Sequence, residues 1–240
     1  MSLDTLDVSR IEAVLFDVGG VFFIPSHTVL RPLLTDLSVI APDEDSFRRA
    51  HYVGIRHCED ELEDDSFWTG YNTRYVESLG ILDADRARVA EAIHGVWLSG
   101  MRLWTWVQDD AVAALARISR LTRVGIVSNA DGTVERDLGR FGVCQVGEGP
   151  ATQVEVIIDS TVVGVAKPNP EIFRFALEAM NLRAEQCLYV GDAYRYDVIG
   201  ASRAGLQALH FDPYELHDGA AHARARSLDQ LADLLEGLLD

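Results

Sequence analysis

Ala13-Val14-Leu15-Phe16-Asp17-Val18-Gly19-Gly20-Val21-Phe22 is an apolar run that meets a carboxylate and then two glycines. With no polar alternation, so short a run of Val, Leu and Phe predicts a strand buried on both faces. Asp17 then stands at the strand's carboxyl end, where open α/β sheets hold their ligands. The glycines permit a sharp turn and bring bare backbone close to whatever Asp17 touches. A turn aspartate closing a strand and a nucleophile or metal ligand fit this stretch equally well.

Similar units follow. Arg123-Val124-Gly125-Ile126-Val127-Ser128-Asn129 predicts a second buried strand that ends in polar residues, and Cys187-Leu188-Tyr189-Val190-Gly191-Asp192 a third that ends in a carboxylate. Leu206 to Phe211 reads as a fourth. Helices are expected between and after them. Asp109 to Arg120 has Val112, Leu115, Ala116 and Ile118 as its apolar stripe, and Thr133 to Phe141 stops near Gly142. Lys167-Pro168-Asn169-Pro170-Glu171 opens another, with Asn169 as N-cap and Pro170 in the first helical position. Val198 to Ala204 continues as a helix, and Ser227 with Gln230 resembles a capping box ahead of Leu228, Leu231, Leu234 and Leu235. Glu155 to Val165 reads as strand material with a turn at Asp159-Ser160. Repeated strand, turn and helix units imply an α/β fold: a Rossmann-like parallel sheet with helices on both faces.

Residues 26–106 break this alternation and read as an inserted helical domain without a strand pair. Helices are expected behind the acidic Asp43-Glu44-Asp45-Ser46, from Asp65 to Leu79 before Gly80, and over Ala84 to Trp97. The aromatics Trp68, Tyr71, Tyr75 and Trp97 are expected to form the insert's own small core. The expected division is therefore 1–25 with 107–240 as the α/β core, and 26–106 as the insert.

Composition narrows the function classes. Lys and Arg number 21 against 38 Asp and Glu, a formal net charge of −17. This disfavours a nucleic-acid partner, which needs a basic face. Three cysteines, Cys58, Cys144 and Cys187, have no paired spacing and suggest reduced thiols in a cytoplasmic protein. No apolar run reaches membrane-spanning length, and the first residues have neither basic flank nor apolar signal core. Of the 21 basic residues only Lys167 is lysine. A chain that uses arginine for general surface charge gives its one compact ammonium added weight as a chemical group.

A parallel sheet would place the strand ends carrying Asp17, Ser128-Asn129 and Asp192 on one edge, with Asp197 nearby. Asp17, Asp192 and Asp197 left to themselves would repel and raise one another's pKa. A hard divalent cation such as Mg2+ removes that difficulty. Ser128 and Lys167 on the same rim suit the oxygens of a transferring phosphoryl group.

At this point the sequence resembles the haloacid dehalogenase-like hydrolases over nearly its whole length outside the insert. Phe16-Asp17-Val18-Gly19-Gly20-Val21 matches the first family motif except at one position, and Ile126-Val127-Ser128-Asn129 the second. Gly164 to Phe173, with Lys167, matches the third, and Tyr189-Val190-Gly191-Asp192 with Asp197 and Gly200-Ala201 the fourth. The resemblance implies a Mg2+-dependent phosphatase acting on a small phosphorylated metabolite through an aspartyl-phosphate. Asp17 is then the nucleophile, Ser128 binds phosphoryl oxygens, and Lys167 neutralises both. Asn129 and Gly20 are expected to contact substrate. Asp17, Asp192, Asp197 and the backbone carbonyl of Gly19 are expected around Mg2+. The insert is expected to be the family's helical cap.

Gly19 departs from the pattern, because most family phosphatases carry a second, acid–base aspartate there. Such a group is worth about 10²–10⁴-fold in rate. Three alternatives follow: a leaving group good enough to depart unaided, a replacement such as His51, His57 or an acid of Glu59-Asp60-Glu61, or a phosphate-binding protein with little turnover. The rival reaction, 2-haloacid dehalogenation, does not need Asp192 and Asp197. Phosphonate hydrolysis needs a cap lysine, which the insert lacks.

Overall fold

The computed structural model describes residues 3, 5–58, 64–98, 102–217 and 221–237, with the side chains of 64–69 and of 97 and 98 excepted. The chain divides into two compact units, Met1–Phe22 with Val107–Asp240, and Phe23–Trp106.

In chain order the first unit opens with β1 (Ala13–Phe16). The second follows with β2 (Phe23–Pro25), α1 (His27–Asp36), α2 (Glu44–Cys58), α3 (Asp64–Ser78), α4 (Asp83–Leu98) and β3 (Trp104–Val107). The first unit then resumes with α5 (Asp109–Ile118), β4 (Arg123–Ser128), α6 (Val134–Arg140), β5 (Cys144–Val146), β6 (Thr152–Val154) and β7 (Val156–Asp159). It continues with α7 (Ser160–Val163), α8 (Glu171–Met180), β8 (Cys187–Gly191), a π-helical turn Tyr194–Ile199, α9 (Gly200–Arg203), β9 (Gln207–Phe211), β10 (Arg224–Ala225) and α10 (Leu228–Glu236).

Six strands make the main sheet in the order β10-β9-β8-β1-β4-β7, every pair parallel. β1 lies inside it, fully buried from Ala13 to Phe16, which accounts for its lack of polar alternation. Ala13, Leu15, Val127, Ile158, Cys187 and Tyr189 pack with Ile172, Phe173, Ala176 and Met180 of α8 on one face. Strand alternation sends Val14, Phe16, Ile126, Leu188 and Val190 to the other. Gly125, opposite Leu15, has no room for more: a Cβ there would stand 2.8 Å from Leu15 Cδ2 and 3.2 Å from Met180 Sδ.

Several local expectations change. Phe23–Pro25 and Trp104–Val107 pair as a two-stranded sheet where no strand pair was expected. β5 and β6 form a second small sheet. The segment after Asp159 is helical, because Asp159 Oδ1 accepts the Thr161 amide at 2.9 Å and so caps α7. The predicted capping box at Ser227 does not close: Gln230 Oε1 accepts the Arg226 amide at 2.7 Å instead. At α8 the Asn169 side chain accepts the Glu171 amide at 3.0 Å, but the helix starts at Glu171 with Pro170 in the cap position, one residue later than the sequence predicts.

Within the second unit α2 packs on α3, α3 on α4, and α1 on α4. Tyr71 and Tyr75 are buried there, with Tyr71 stacked on Trp104. Trp68 and Trp97, assigned to the same core from sequence, have side chains outside the described residues. No helix among the described residues is long and apolar enough to cross a membrane.

Candidate active site

The register aligns Phe16 of β1 with Val190 of β8 on one side and with Ile126 of β4 on the other. Asp17 therefore leaves the sheet between Asp192, two residues beyond Val190, and Ser128, two beyond Ile126. All three are buried, with 9%, 5% and 3% of their surface exposed. The Asp17 amide donates to Val190 O at 2.9 Å, which carries the pairing up to the carboxylate.

Asp197 arrives from the π-helical turn after β8 and is completely buried. Its Oδ2 accepts the Ala193 amide at 2.9 Å. Two glycines make space for these acids. A Cβ at Gly191 would stand 2.3 Å from Asp197 Cγ, and one at Gly20 only 2.0 Å from Asp192 Oδ2. Gly20 also has φ +70°, a left-handed conformation that side chains resist.

Lys167, the chain's one lysine, enters from the loop before α8 and is buried with the acids. Its ammonium donates to Asp197 Oδ1 at 2.7 Å and to the Tyr189 hydroxyl at 2.8 Å. It stands 2.8 Å from Asp17 Oδ1, an ion pair by distance in which Oδ1 receives no aligned hydrogen bond. Burial would lower the Lys167 pKa, but the charges of Asp17 and Asp197 outweigh it and raise the value above the ordinary range. Burial raises Asp17 and Asp197 above the usual carboxylate range despite the ammonium beside them.

Among the described residues Asp17, Asp192 and Asp197 form the one group of three metal-liganding side chains whose donor atoms all lie within 4.8 Å of one another. Lys167 pairs with Asp17 and Asp197 of this group, and the three carboxylates lie close enough to repel one another. Burying like charges together is costly, and a cation among these oxygens would relieve that repulsion. An all-oxygen donor set selects a hard ion such as Mg2+ over zinc or copper. Asp17 Oδ1, buried with the Lys167 ammonium at 2.8 Å but no aligned hydrogen bond, is consistent with that fit.

The other expected site residues take different places. Asn129 brackets the Lys167 backbone: its Oδ1 accepts the Lys167 amide at 2.7 Å, and its Nδ2 donates to the Lys167 carbonyl at 2.9 Å. Its side-chain amide thus holds the lysine loop beside Ser128. Gly19 is an isolated bridge residue between Val18 and the turn that starts at Gly20, and presents no side chain. Of the residues considered as replacements for the missing acid, His51 is wholly buried, with Nδ1 2.9 Å from the Tyr71 hydroxyl and its ring edge-on to Trp104. His57 is exposed on α2. Glu59-Asp60-Glu61 lie outside the described residues.

Tyr189 was quoted from sequence only as part of a motif, yet its hydroxyl links two strand ends. It donates to Val127 O at 2.7 Å and accepts from Lys167. Burial, reinforced by the charges of Asp17 and Asp197, holds the phenol well above its ordinary pKa, so it stays protonated. A tyrosine in a strand buried on both faces has to find a partner for its hydroxyl, and that was the available signal. Asp159, at the end of β7, reads from sequence only as part of a strand-and-turn segment. Its Oδ2 accepts the amides of Gly132 at 2.9 Å and Val134 at 3.3 Å, and so shapes the loop after Ser128.

Residues 11–205 match the family model for haloacid dehalogenase-like hydrolases. Among curated proteins, the N-acylneuraminate-9-phosphatase of Rattus norvegicus is 26% identical over 129 residues, 52% of this chain and 48% of that protein. The phosphoserine phosphatase of Thermus thermophilus is 40% identical over 67 residues, 28% of this chain and 27% of that one. The chain thus spans about half the length of the first relative and about a quarter of the second. In fold it is similar to the HAD-hydrolase YfnB from Bacillus subtilis, with a TM-score of 0.60 at 20% identity, covering 94% of this chain and 99% of that one. The HAD phosphatase from Thermococcus onnurineus gives 0.54 at 21%, covering 95% and 99%.

Proposed function

The chain belongs to the haloacid dehalogenase-like hydrolase family, and from that premise we propose that it is a Mg2+-dependent phosphatase of a small phosphorylated metabolite. The observation that carries this reading is the buried cluster of Asp17, Asp192 and Asp197 around Lys167. A haloacid dehalogenase attacks carbon and has no use for two further carboxylates beside its nucleophile. The division of the chain into an α/β core and a helical cap over 26–106 belongs to the same proposal, as does a cytoplasmic location.

Asp17, Asp192 and the Gly19 carbonyl hold the ion in this reading, with Asp197 in support. Bound there, Mg2+ supplies charge neutralisation for phosphate and nucleophile. Asp17 attacks phosphorus, forming an aspartyl Oδ–P bond as the bond from phosphorus to the leaving oxygen breaks. Lys167 offsets the charge on the carboxylate and the phosphoryl oxygens, and the Ser128 hydroxyl donates to an equatorial oxygen. Water then attacks phosphorus, which frees phosphate and restores Asp17. Because Gly19 provides no proton for the leaving oxygen, the reading favours substrates whose leaving group departs as a stable anion, acyl and anomeric phosphates foremost.

The test is a panel of acyl, sugar-1, primary-alkyl and nucleotide phosphates, assayed with Mg2+ and with chelator, beside Asp17→Asn. Mg2+-dependent phosphate release that Asp17→Asn abolishes is the expected result. Equal rates for wild type and Asp17→Asn on every substrate would sink the proposal, and metal-independent halide release from 2-chloropropionate would replace it with dehalogenation.

A further inference from the structure

His210, Asp212, His222 and Arg224 gather where β9 pairs with β10. The parallel register sets Arg224 opposite His210 and Ala225 opposite Phe211, so His222 lies just ahead of the ladder, and the His210 amide donates to Ala223 O at 2.9 Å. His210 is completely buried, and its Nε2 is 2.8 Å from the backbone carbonyl of Asp192. A carbonyl only accepts, so Nε2 carries the proton. His210 Nδ1 is 2.9 Å from His222 Nε2. His210 is fully buried with His217 edge-on at 4.3 Å between ring centres, surroundings that disfavour a cationic ring. The ring is neutral, Nδ1 accepts, and His222 must also be the Nε2–H tautomer. Donation therefore runs one way, from His222 to His210 to the Asp192 carbonyl. Tyr194 stacks on His222 at 4.7 Å and holds the outer ring in place.

We infer that His210, oriented by His222, is a positioning residue that sets the Asp192 peptide and with it one corner of the carboxylate cluster. This rests on the reading of Asp192 as a cation ligand. Asp192 sits where β8 gives way to the π-helical turn, and Gly20 closes on its carboxylate from the other side. A peptide rotation at Asp192 would swing the carboxylate out of the 4.8 Å cluster, and the imidazole N–H opposes that rotation. Groups that orient a ligand are worth about 10–100-fold in metal affinity.

The experiment measures Mg2+ binding calorimetrically on the full chain for wild type, His210→Leu, His210→Gln and His222→Phe, with metal-free Tm for each. Long-range 1H–15N spectra of the wild-type imidazoles accompany it. The expected results are Nε2–H tautomers at both His210 and His222, Mg2+ binding weakened about tenfold or more by His210→Leu, and recovery in His210→Gln, which still offers an N–H toward the carbonyl. Recovery of affinity without recovery of Tm separates orientation from general stability. Should His210→Leu not fold, His222→Phe carries the test, since it keeps a ring against Tyr194: weakened affinity at unchanged metal-free Tm supports the inference. Wild-type affinity in the variants, or an Nδ1–H tautomer at His210, overturns it and leaves the reading of the site intact. A wild type that binds no Mg2+ overturns both.

Discussion

The Lys167 ammonium stands 2.8 Å from Asp17 Oδ1, with both side chains buried. The same nitrogen donates to Asp197, so one cation ties the end of β1 to the turn after β8. Removing it takes the ammonium away from two buried carboxylates, Asp17 and Asp197. Lys167→Met is expected to destabilise the metal-free protein by about 3–5 kcal/mol, read from urea unfolding, and to abolish phosphatase turnover. Lys167→Arg should not restore activity, because a planar fork cannot take the place of a compact ammonium among Asp17, Asp197 and Tyr189. Activity in the arginine variant within a few-fold of wild type would count against this geometry.

Gly20→Ala tests the closeness of β1 and β8. A Cβ would fall 2.0 Å from Asp192 Oδ2, at a φ of +70°. The backbone conformation costs about 1–2 kcal/mol, and the clash forces Asp192 away. Wild type is expected to gain Tm on addition of Mg2+, and Gly20→Ala to lose most of that gain.

Tyr189→Phe keeps the ring against Phe173, whose centre is 4.9 Å away, and deletes only the hydroxyl. Val127 O then loses its donor and Lys167 one acceptor. Leaving buried partners unsatisfied costs about 1–3 kcal/mol, measurable by denaturant unfolding. A variant as stable as wild type would show that this hydroxyl is not a structural link.

Asp212 supplies a pH-dependent term away from the cluster. Burial would raise its pKa, but hydrogen bonds from His217 and the Leu216 amide outweigh that and hold it below the usual carboxylate range. Arg224 Nη1 adds an ion pair at 3.1 Å. With the folded pKa depressed, the stabilisation is fully present above the unfolded value of about 3.9. It is lost as pH falls from there through the folded pKa. Asp212→Asn should therefore lower stability by about 3 kcal/mol near neutral pH. Its Tm deficit should stay constant down to about pH 5 and shrink below about pH 4.

Legibility in the sequence followed the range of the interactions. The strands that lead to Asp17, Ser128 and Asp192 were plain because burial on both faces removes charged and strongly polar residues over four or five consecutive positions. The Asn169 bond to the start of α8 was plain because the side chain and the amide it accepts are two residues apart. The strand pair at the margins of the insert was not, since Phe23–Pro25 and Trp104–Val107 are each too short to show a period and find each other across the whole insert. The Ser227 box failed because a one-residue shift in the chain's entry handed Gln230 to Arg226. That the Asn129 amide reaches Lys167, 38 residues on, left no local trace.

From the sequence by itself came the α/β class, the order of strand ends and the residue types gathered on them, because all of these are written in short apolar runs and the residues that end them. Tertiary structure decided that Asp17 lies between β8 and β4, that Lys167 is shared by Asp17 and Asp197, that Tyr189 joins them to Val127, and that His210 holds the Asp192 carbonyl. Those contacts span from 18 to 174 residues of chain. They depend on sheet order and register, which fix where distant side chains meet and leave no local trace in the residues that take part.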